Sequence, residues 1–252
     1  KKVDKIVHCE LNEELSQIVK HNFEQLKIEN SDFYCGDSYD VLQNLNQKFD
    51  WIYIDPSRRN DAKGKVFMLK DCLPNVPDLL YFYLDYSNNI LIKTAPILDI
   101  SAGLSELKNV KEIHIVAVEN EVKELLWIIE KNHSKTIEIK TVNFNKETIE
   151  RFDFQYDSRI NASICLPQKY LYEPNSAIMK SGGFNEICNA FPVEKLHQHS
   201  HLYTSNALIE FPGRIFEIEN CFSYSKIDMK AFLENTKANI TTRNFPETVE
   251  AI

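Results

Sequence analysis

The feature that most constrains this chain is a short β-favouring apolar run, Trp51-Ile52-Tyr53-Ile54, that stops abruptly at Asp55-Pro56-Ser57-Arg58-Arg59. Proline has no amide hydrogen to give to a ladder, so it ends a strand and fixes the backbone beside Asp55. In an open α/β sheet, ligands bind beyond the carboxyl ends of the strands. A loop there that presents a carboxylate, carbonyls and two guanidinium groups suits a polar ligand. Taken alone, the segment reads equally well as an Asp-Pro-Ser turn with solvated arginines.

The residues upstream repeat the pattern. Lys5 to Cys9 reads as a short buried strand ending at Glu10. Leu11, Leu15, Ile18, Val19, Phe23 and Leu26 then recur at helical spacing. Asn12 is placed to cap that helix, and Glu13 and Glu14 fall in its favourable first turn. Phe33-Tyr34-Cys35 forms a second strand, ending at Gly36-Asp37-Ser38, and Val41 and Leu42 open another short helix. Three consecutive strands therefore end in Glu10, Asp37 and Asp55. One acid at a strand end is ordinary; three in β-α-β order suggest one ligand touched three times.

Over roughly residues 1–145 these motifs resemble the class I S-adenosylmethionine-dependent methyltransferases. The resemblance implies S-adenosylmethionine as cofactor and assigns roles by position. Glu10 would accept the ribose hydroxyls, which suits a carboxylate because it is acceptor-only when ionised. Asp37, with Ser38 beside it, would receive the adenine amino group. Asp55, Pro56, Ser57 and Arg58 would face the methyl group and the substrate, with Asp55 also on the cofactor side. In the family this loop reads Asp/Asn-Pro-Pro-aromatic; here Ser57 replaces the second proline and Arg58 the aromatic. That departure removes a stacking platform for a base, and Arg58 and Arg59 suit a bidentate grip on phosphate instead. Lys93 is a further candidate for touching substrate. The family's glycine-rich turn does not lie ahead of Glu10, and the chain opens directly on Lys1-Lys2-Val3. It closes on Phe245 to Ile252, which reads as a helix cut short. The expectation is a fragment trimmed at both ends: an α/β, Rossmann-like methyltransferase sheet, mainly parallel and incomplete at its N-terminus, over residues 1–150.

The remaining elements of that half are read from pattern. Leu73 to Tyr86 is expected as a helix, Asn89 to Thr94 as a strand, Ile100 to Leu107 as a short helix and Glu112 to Val118 as a strand covered on both faces. Val122, Leu125, Leu126 and Ile129 then recur at i, i+3, i+4 and i+7, which predicts a helix beginning at Asn120. Thr136 to Phe144 alternates and predicts a half-exposed edge strand.

After about residue 150 the alternation gives way to shorter strand-like pieces, Ala162 to Leu166, Ala207 to Phe211 and Phe216 to Phe222. The segments Tyr170 to Lys180, Leu202-Tyr203-Thr204-Ser205 and Arg243-Asn244-Phe245-Pro246 resemble a THUMP-like C-terminal domain found on a group of bacterial methyltransferases. That implies a smaller α+β substrate-binding domain over residues 151–252, and RNA as the partner. Lys180 and Arg243 are candidate substrate contacts, within an arguable basic strip of Lys169, Lys180, Lys195, Arg214 and Arg243. Tyr170, Tyr172 and Tyr203 could stack bases, although amphipathic core tyrosines are commoner. His197, His199 and His201 share one side of an extended segment, but no Cys or acidic ligand matches their spacing, so no metal is expected. Asp153, Asp157 and Arg159 read as linker.

Composition narrows the classes. The formal net charge of −8 excludes a general nucleic-acid glue, while leaving room for a local basic patch. No apolar run approaches the ~20 residues of a membrane span. Six cysteines scattered without C-x-x-C pairing suit free thiols in a reducing, cytoplasmic setting; Cys9 and Cys35 read as packing residues. The leading expectation is a methyltransferase of ribosomal or transfer RNA. The alternatives are a methyltransferase of a protein or small molecule, or a non-catalytic RNA-binding module on a methyltransferase-like scaffold.

Overall fold

The computed structural model describes residues 3–58, 68–158, 160–233, 239–243 and 245–252. Arg59, Arg159 and Asn244, with Lys1, Lys2, Lys237 and Ala238, lie outside the described residues. The chain forms two compact units that interleave in sequence: residues 1–92 with 101–109 and 129–133, and residues 93–100 and 110–128 with 134–252.

The first unit begins β1 (Ile6–Glu10), α1 (Glu13–Gln25), β2 (Ser31–Cys35), α2 (Ser38–Leu45) and β3 (Ile52–Ile54). There follow β4 (Ser57–Arg58), a 3₁₀ turn (Leu69–Asp71), β5 (Cys72–Leu73), α3 (Val76–Tyr86), β6 (Asn89–Thr94, to Ile92 in this unit) and α4 (Ile100–Glu106, from Ser101 in this unit). β1 and β2 pair in parallel as a two-stranded sheet, and β3 pairs in parallel with β6. Asn12 caps α1 as its sequence suggests, its Oδ1 accepting from the Leu15 amide at 3.0 Å. A sheet only two strands wide cannot cover the whole apolar stripe of that helix. Phe23 packs edge-on against Phe33 at 5.2 Å, but Leu15 and Ile18 remain about half exposed, at 50% and 48%. The core of the unit lies under α3, where Val76, Leu80, Tyr83 and Leu84 bury one face.

The second unit holds β7 (Val110–Val118), β8 (Glu121–Glu130, to Ile128 in this unit), β9 (Glu138–Phe144) and β10 (Ile149–Gln155). The helix expected from Asn120 is instead strand β8. Glu119 and Asn120 both adopt left-handed backbone, with φ of 50° and 60°. Two such residues form the tight turn whose twist matches a β-hairpin, and Asn tolerates that conformation better than most residues. Leu125, Trp127 and Ile129 are fully buried while their neighbours are half-buried. The run is thus apolar on both faces, which mimics helical spacing over so short a window. Trp127 Nε1 donates to Thr94 Oγ1 at 3.0 Å, satisfying both buried groups. β9 is not an edge: it pairs in parallel with β7 on one side and antiparallel with β10 on the other.

Downstream come β11 (Tyr170–Pro174), α5 (Ser176–Ser181), α6 (Glu186–Ala190), β12 (Glu194–Lys195), β13 (Tyr203–Ser205), β14 (Gly213–Glu217) and α7 (Lys226–Leu233). The strands order as β12-β13-β11-β14, every neighbouring pair antiparallel. Helices α5 and α6 fill the β11–β12 crossover, 206–212 links β13 to β14 without one, and α7 follows β14. The expected strands are corrected here. Ala162 to Leu166 contributes only an isolated bridge, Ile164 to Lys195. Residues 207–211 are a loop, and the last strand starts earlier, at Gly213. One face of the sheet packs a core of Phe152, Tyr172, Ile178, Ile187, Tyr203 and Phe211.

Candidate active site

The carboxyl ends of β1 and β2 lie side by side, with Glu10 registered on Cys35. The chain leaves both ends through backbone that the two acids organise. Glu10 Oε1 accepts from the Asn12 amide at 2.8 Å, and Asp37 caps α2 by accepting from the Tyr39 amide at 2.8 Å. Gly36 between them donates its amide to the Glu10 carbonyl at 2.9 Å. Its φ of +150° is one that side chains rarely adopt, yet a Cβ there would meet only Val41 Cγ2 at 3.8 Å. The glycine is therefore required by conformation rather than by crowding. Glu10 is half-buried and Asp37 exposed.

Cys9 completes this corner as a packing group. Its Sγ–H donates to the Gly36 carbonyl at 3.4 Å. Burial pushes the thiol up to about 11, helped by the negative charges of Asp37 and Glu10 and by Cys35. Ser38 Oγ shares a hydrogen bond of 3.0 Å with the hydroxyl of Tyr83. Burial raises the pKa of Tyr83. Sequence reasoning missed Tyr83; its only signal was its place on the apolar stripe of α3.

Asp55, Pro56 and Ser57 follow the carboxyl end of β3, whose parallel partner is β6. Glu10, Asp37 and Ser38 therefore form one strand-end group and Asp55 to Arg58 another. Ser57 and Arg58 form β4 and pair antiparallel with Leu73 and Cys72. The Ser57 hydroxyl donates to the Leu73 carbonyl at 3.4 Å. Glu106, which carried no signal in the sequence, anchors that partner segment by accepting from the amides of Leu69 at 2.7 Å and Lys70 at 3.2 Å.

The other candidates belong to the second unit. Lys93 lies within β6 rather than beyond it, and is half-buried. Lys180 lies in the last turn of α5, and burial lowers its pKa. Lys195 drops out of any surface strip: it is buried, with Nζ donating to Asn185 Oδ1 at 3.2 Å and the Gln198 carbonyl at 3.0 Å. Tyr172 and Tyr203 are core residues, not stacking platforms. Their hydroxyls donate to the carbonyls of Ala207 and Phe184, each at 2.6 Å. Arg214 and Arg243 do come together, both on the carboxylate of Glu173, whose side chain is only 10% exposed. Asp153 sits in β10 and Asp157 in the turn after it, at φ 57°.

His201 stacks on Phe184 with ring centroids 3.5 Å apart, while His197 and His199 lie 5.5 Å apart. Among the described residues no group of three or more His, Cys, Asp or Glu side chains is placed to hold a metal ion. Among them also no helix is long and apolar enough to cross a membrane.

A family model described as a ferredoxin-like domain matches residues 170–212, the stretch from β11 through β13. The chain is also similar to a solved structure described as "putative methyltransferase from Porphyromonas gingivalis W83", with 31% identity and a TM-score of 0.83. That similarity covers 97% of this chain and 63% of the other, so the chain spans under two thirds of its neighbour's length. No curated protein matches the sequence. The mixed α/β architecture is thus that of the Porphyromonas protein over nearly the whole chain.

Proposed function

We propose that this protein is an S-adenosylmethionine-dependent methyltransferase that modifies RNA. The observation that carries the reading is the juxtaposition of Glu10 and Asp37 at the carboxyl ends of adjacent parallel strands. It occurs in a chain 31% identical to a structure described as a "putative methyltransferase". The residues fit a nucleoside. Glu10 has one oxygen anchored on a backbone amide and would take ribose hydroxyls. Asp37 offers an acceptor for an exocyclic amine. Ser38 is held by Tyr83. When bound, S-adenosylmethionine supplies a methyl group activated on a sulfonium.

The contribution of the chain is placement, which accounts for most of what such a transfer requires. Asp55, on backbone stiffened by Pro56, would orient the acceptor and take the proton it loses. Ser57, Arg58 and Arg59 would hold the substrate close to that point. The β4–β5 pairing and Glu106 fix the frame of the loop. Residues 1–150 would carry the chemistry and 151–252 the substrate, with Lys93, Lys180 and Arg243 as further contacts. Six free cysteines suit a cytoplasmic enzyme.

Calorimetric titration of S-adenosylhomocysteine into the full-length protein tests the reading. The expected result is micromolar affinity that falls at least ten-fold in both Glu10→Ala and Asp37→Ala. Affinity unchanged in both variants would remove the assigned site.

A further inference from the structure

The four-stranded sheet of the second unit has a core face, packed at β11 and β13, and an outward face. Alternation along β11 sends Tyr172 into the core, where it is fully buried with Tyr203 of β13. Cross-strand partners share a face. Leu171 with Phe216, and Glu173 with Arg214, therefore lie together on the opposite face. Over β13 that face is closed. Thr204 is buried, accepts from the Gln168 amide at 2.8 Å and donates to the Tyr170 carbonyl at 2.7 Å. Gln168 then reaches across to Glu194 at 2.9 Å. Over β14 the face is open: Phe216 is 44% exposed and the Arg214 side chain 60%.

Among the described residues, the charges that meet at Glu173 do not cancel. Glu173 accepts from Arg214 Nε at 2.8 Å and also from Arg243, so one carboxylate holds two guanidinium groups. A structural clamp needs only one cation. The second leaves a surplus positive charge, and each guanidinium has five donors, most of them unspent on Glu173. The Arg214 guanidinium carbon lies 5.6 Å from the centre of the Phe216 ring. The nearby Glu217 belongs to the other face by alternation and pairs with Lys169 at 3.5 Å. An exposed ring beside preorganised guanidinium groups is the combination that takes an unstacked base and its phosphates.

We propose that the outward face of β11 and β14 binds a single-stranded segment of RNA, stacking one base on Phe216 and gripping phosphate with Arg214 and Arg243. This rests on RNA as the substrate class and deepens that reading. Three segments far apart in sequence, around Glu173, Arg214 and Arg243, would then meet for one purpose.

Fluorescence polarisation with a labelled 12-nucleotide mixed-sequence single-stranded RNA tests it, using the full chain. Phe216→Ala is expected to weaken binding about ten-fold. Arg243→Gln should weaken it by a similar factor and reduce the dependence of affinity on salt. The same oligonucleotide annealed into a duplex should bind several-fold more weakly, because its bases are already stacked. Circular dichroism and the thermal midpoint check that each variant folds. A second variant, Phe216→Tyr, keeps a ring and should restore affinity. Tight binding by wild type that neither Phe216→Ala nor Arg243→Gln changes would overturn the proposed face while leaving the RNA reading standing. No RNA binding by wild type at all would overturn both. Equal affinity for the duplex would overturn the stacking.

Discussion

Ser38 and Tyr83 meet hydroxyl to hydroxyl at 3.0 Å, and this single bond ties helix α3 to the first residue of α2. Asp37, the acid proposed to receive the adenine amine, is the residue just before Ser38, so the bond braces the start of α2 beside that acid. Tyr83 is 1% exposed, so removing its hydroxyl leaves Ser38 facing an apolar edge.

Tyr83→Phe is therefore expected to cost about 1–2 kcal/mol of stability, the usual penalty for orphaning one partner of a buried hydrogen bond. Urea denaturation measures it. The same variant should weaken S-adenosylhomocysteine several-fold in calorimetry, since the α2 start is no longer braced. An unchanged urea midpoint would mean that the bond adds nothing to the fold.

A second expectation concerns Gly213. Its φ is +153°, and a Cβ there would fall 2.1 Å from the Glu173 carbonyl oxygen and 2.9 Å from the Asn175 nitrogen. Both neighbours are backbone and cannot swing away. Gly213→Ala should lose about 3 kcal/mol or more, placing it among the rarer severe substitutions. Gly182→Ala is the comparison, because Gly182 has nothing within 4 Å of the same position. Only the left-handed strain at φ +76° should then register, at about 1–2 kcal/mol.

Much of the first unit was legible because its signals are local. Asn12 precedes a helix and caps it, Pro56 follows the end of a strand, and Ile90-Leu91-Ile92 is a short apolar run between polar residues. What escaped was decided at a distance. Asn120 looks like a helix cap from its own neighbours, and only the burial of both faces of Leu125 to Ile129 makes the following run a strand. Tyr172 and Tyr203 could be read as exposed platforms until β11 and β13 paired and turned both inward. The meeting of Glu173, Arg214 and Arg243 depends on the β11–β14 register and on the path of the tail, which no short window contains. Glu106 and Tyr83 are unremarkable until the backbone amides and hydroxyl they serve are in place.

The hairpin turn gives a test that separates conformation from bonding. Asn120 holds φ at 60°, and its Oδ1 accepts from the Ser176 amide at 2.7 Å. Asn120→Gly keeps the backbone and loses the bond, which should cost about 1 kcal/mol. Asn120→Ala loses both and should cost about 2 kcal/mol or more. Thermal denaturation of the two variants, compared side by side, checks the order. Equal losses would show that the left-handed conformation is not what Asn120 is there to supply.

Acid stability follows from Glu112. Its burial pulls its pKa up, but hydrogen bonds from Lys140 and His114, each at 2.9 Å, outweigh that and hold the carboxyl below its ordinary value. A depressed carboxylate contributes stability that is present above its unfolded pKa and lost as the pH falls through the folded one. Stability should therefore decline below the usual carboxylate range, and Glu112→Gln should flatten that part of the profile while lowering the plateau at neutral pH. Urea midpoints measured from neutral pH into that acid range decide it. A Glu112→Gln curve parallel to wild type would exclude the group as a source of the acid limb.

Cys9 offers a probe of the candidate site that needs no cofactor. Burial, reinforced by the charges of Asp37 and Glu10 and by Cys35, pushes its thiol up to about 11. The thiolate is the reactive form, so at neutral pH Cys9 should be almost inert to iodoacetamide, and its labelling rate should keep rising up to about pH 11. Neutralising the neighbours should bring that rise to lower pH, because each negative charge disfavours a second one nearby. Asp37→Asn is the larger contributor and should act more strongly than Glu10→Gln. Mass spectrometry of peptides labelled over a pH series resolves Cys9 from the exposed Cys35 and Cys221. Rapid labelling of Cys9 at pH 7 would contradict its burial, and a profile that neither substitution moves would mean that the two acids do not converge on this corner.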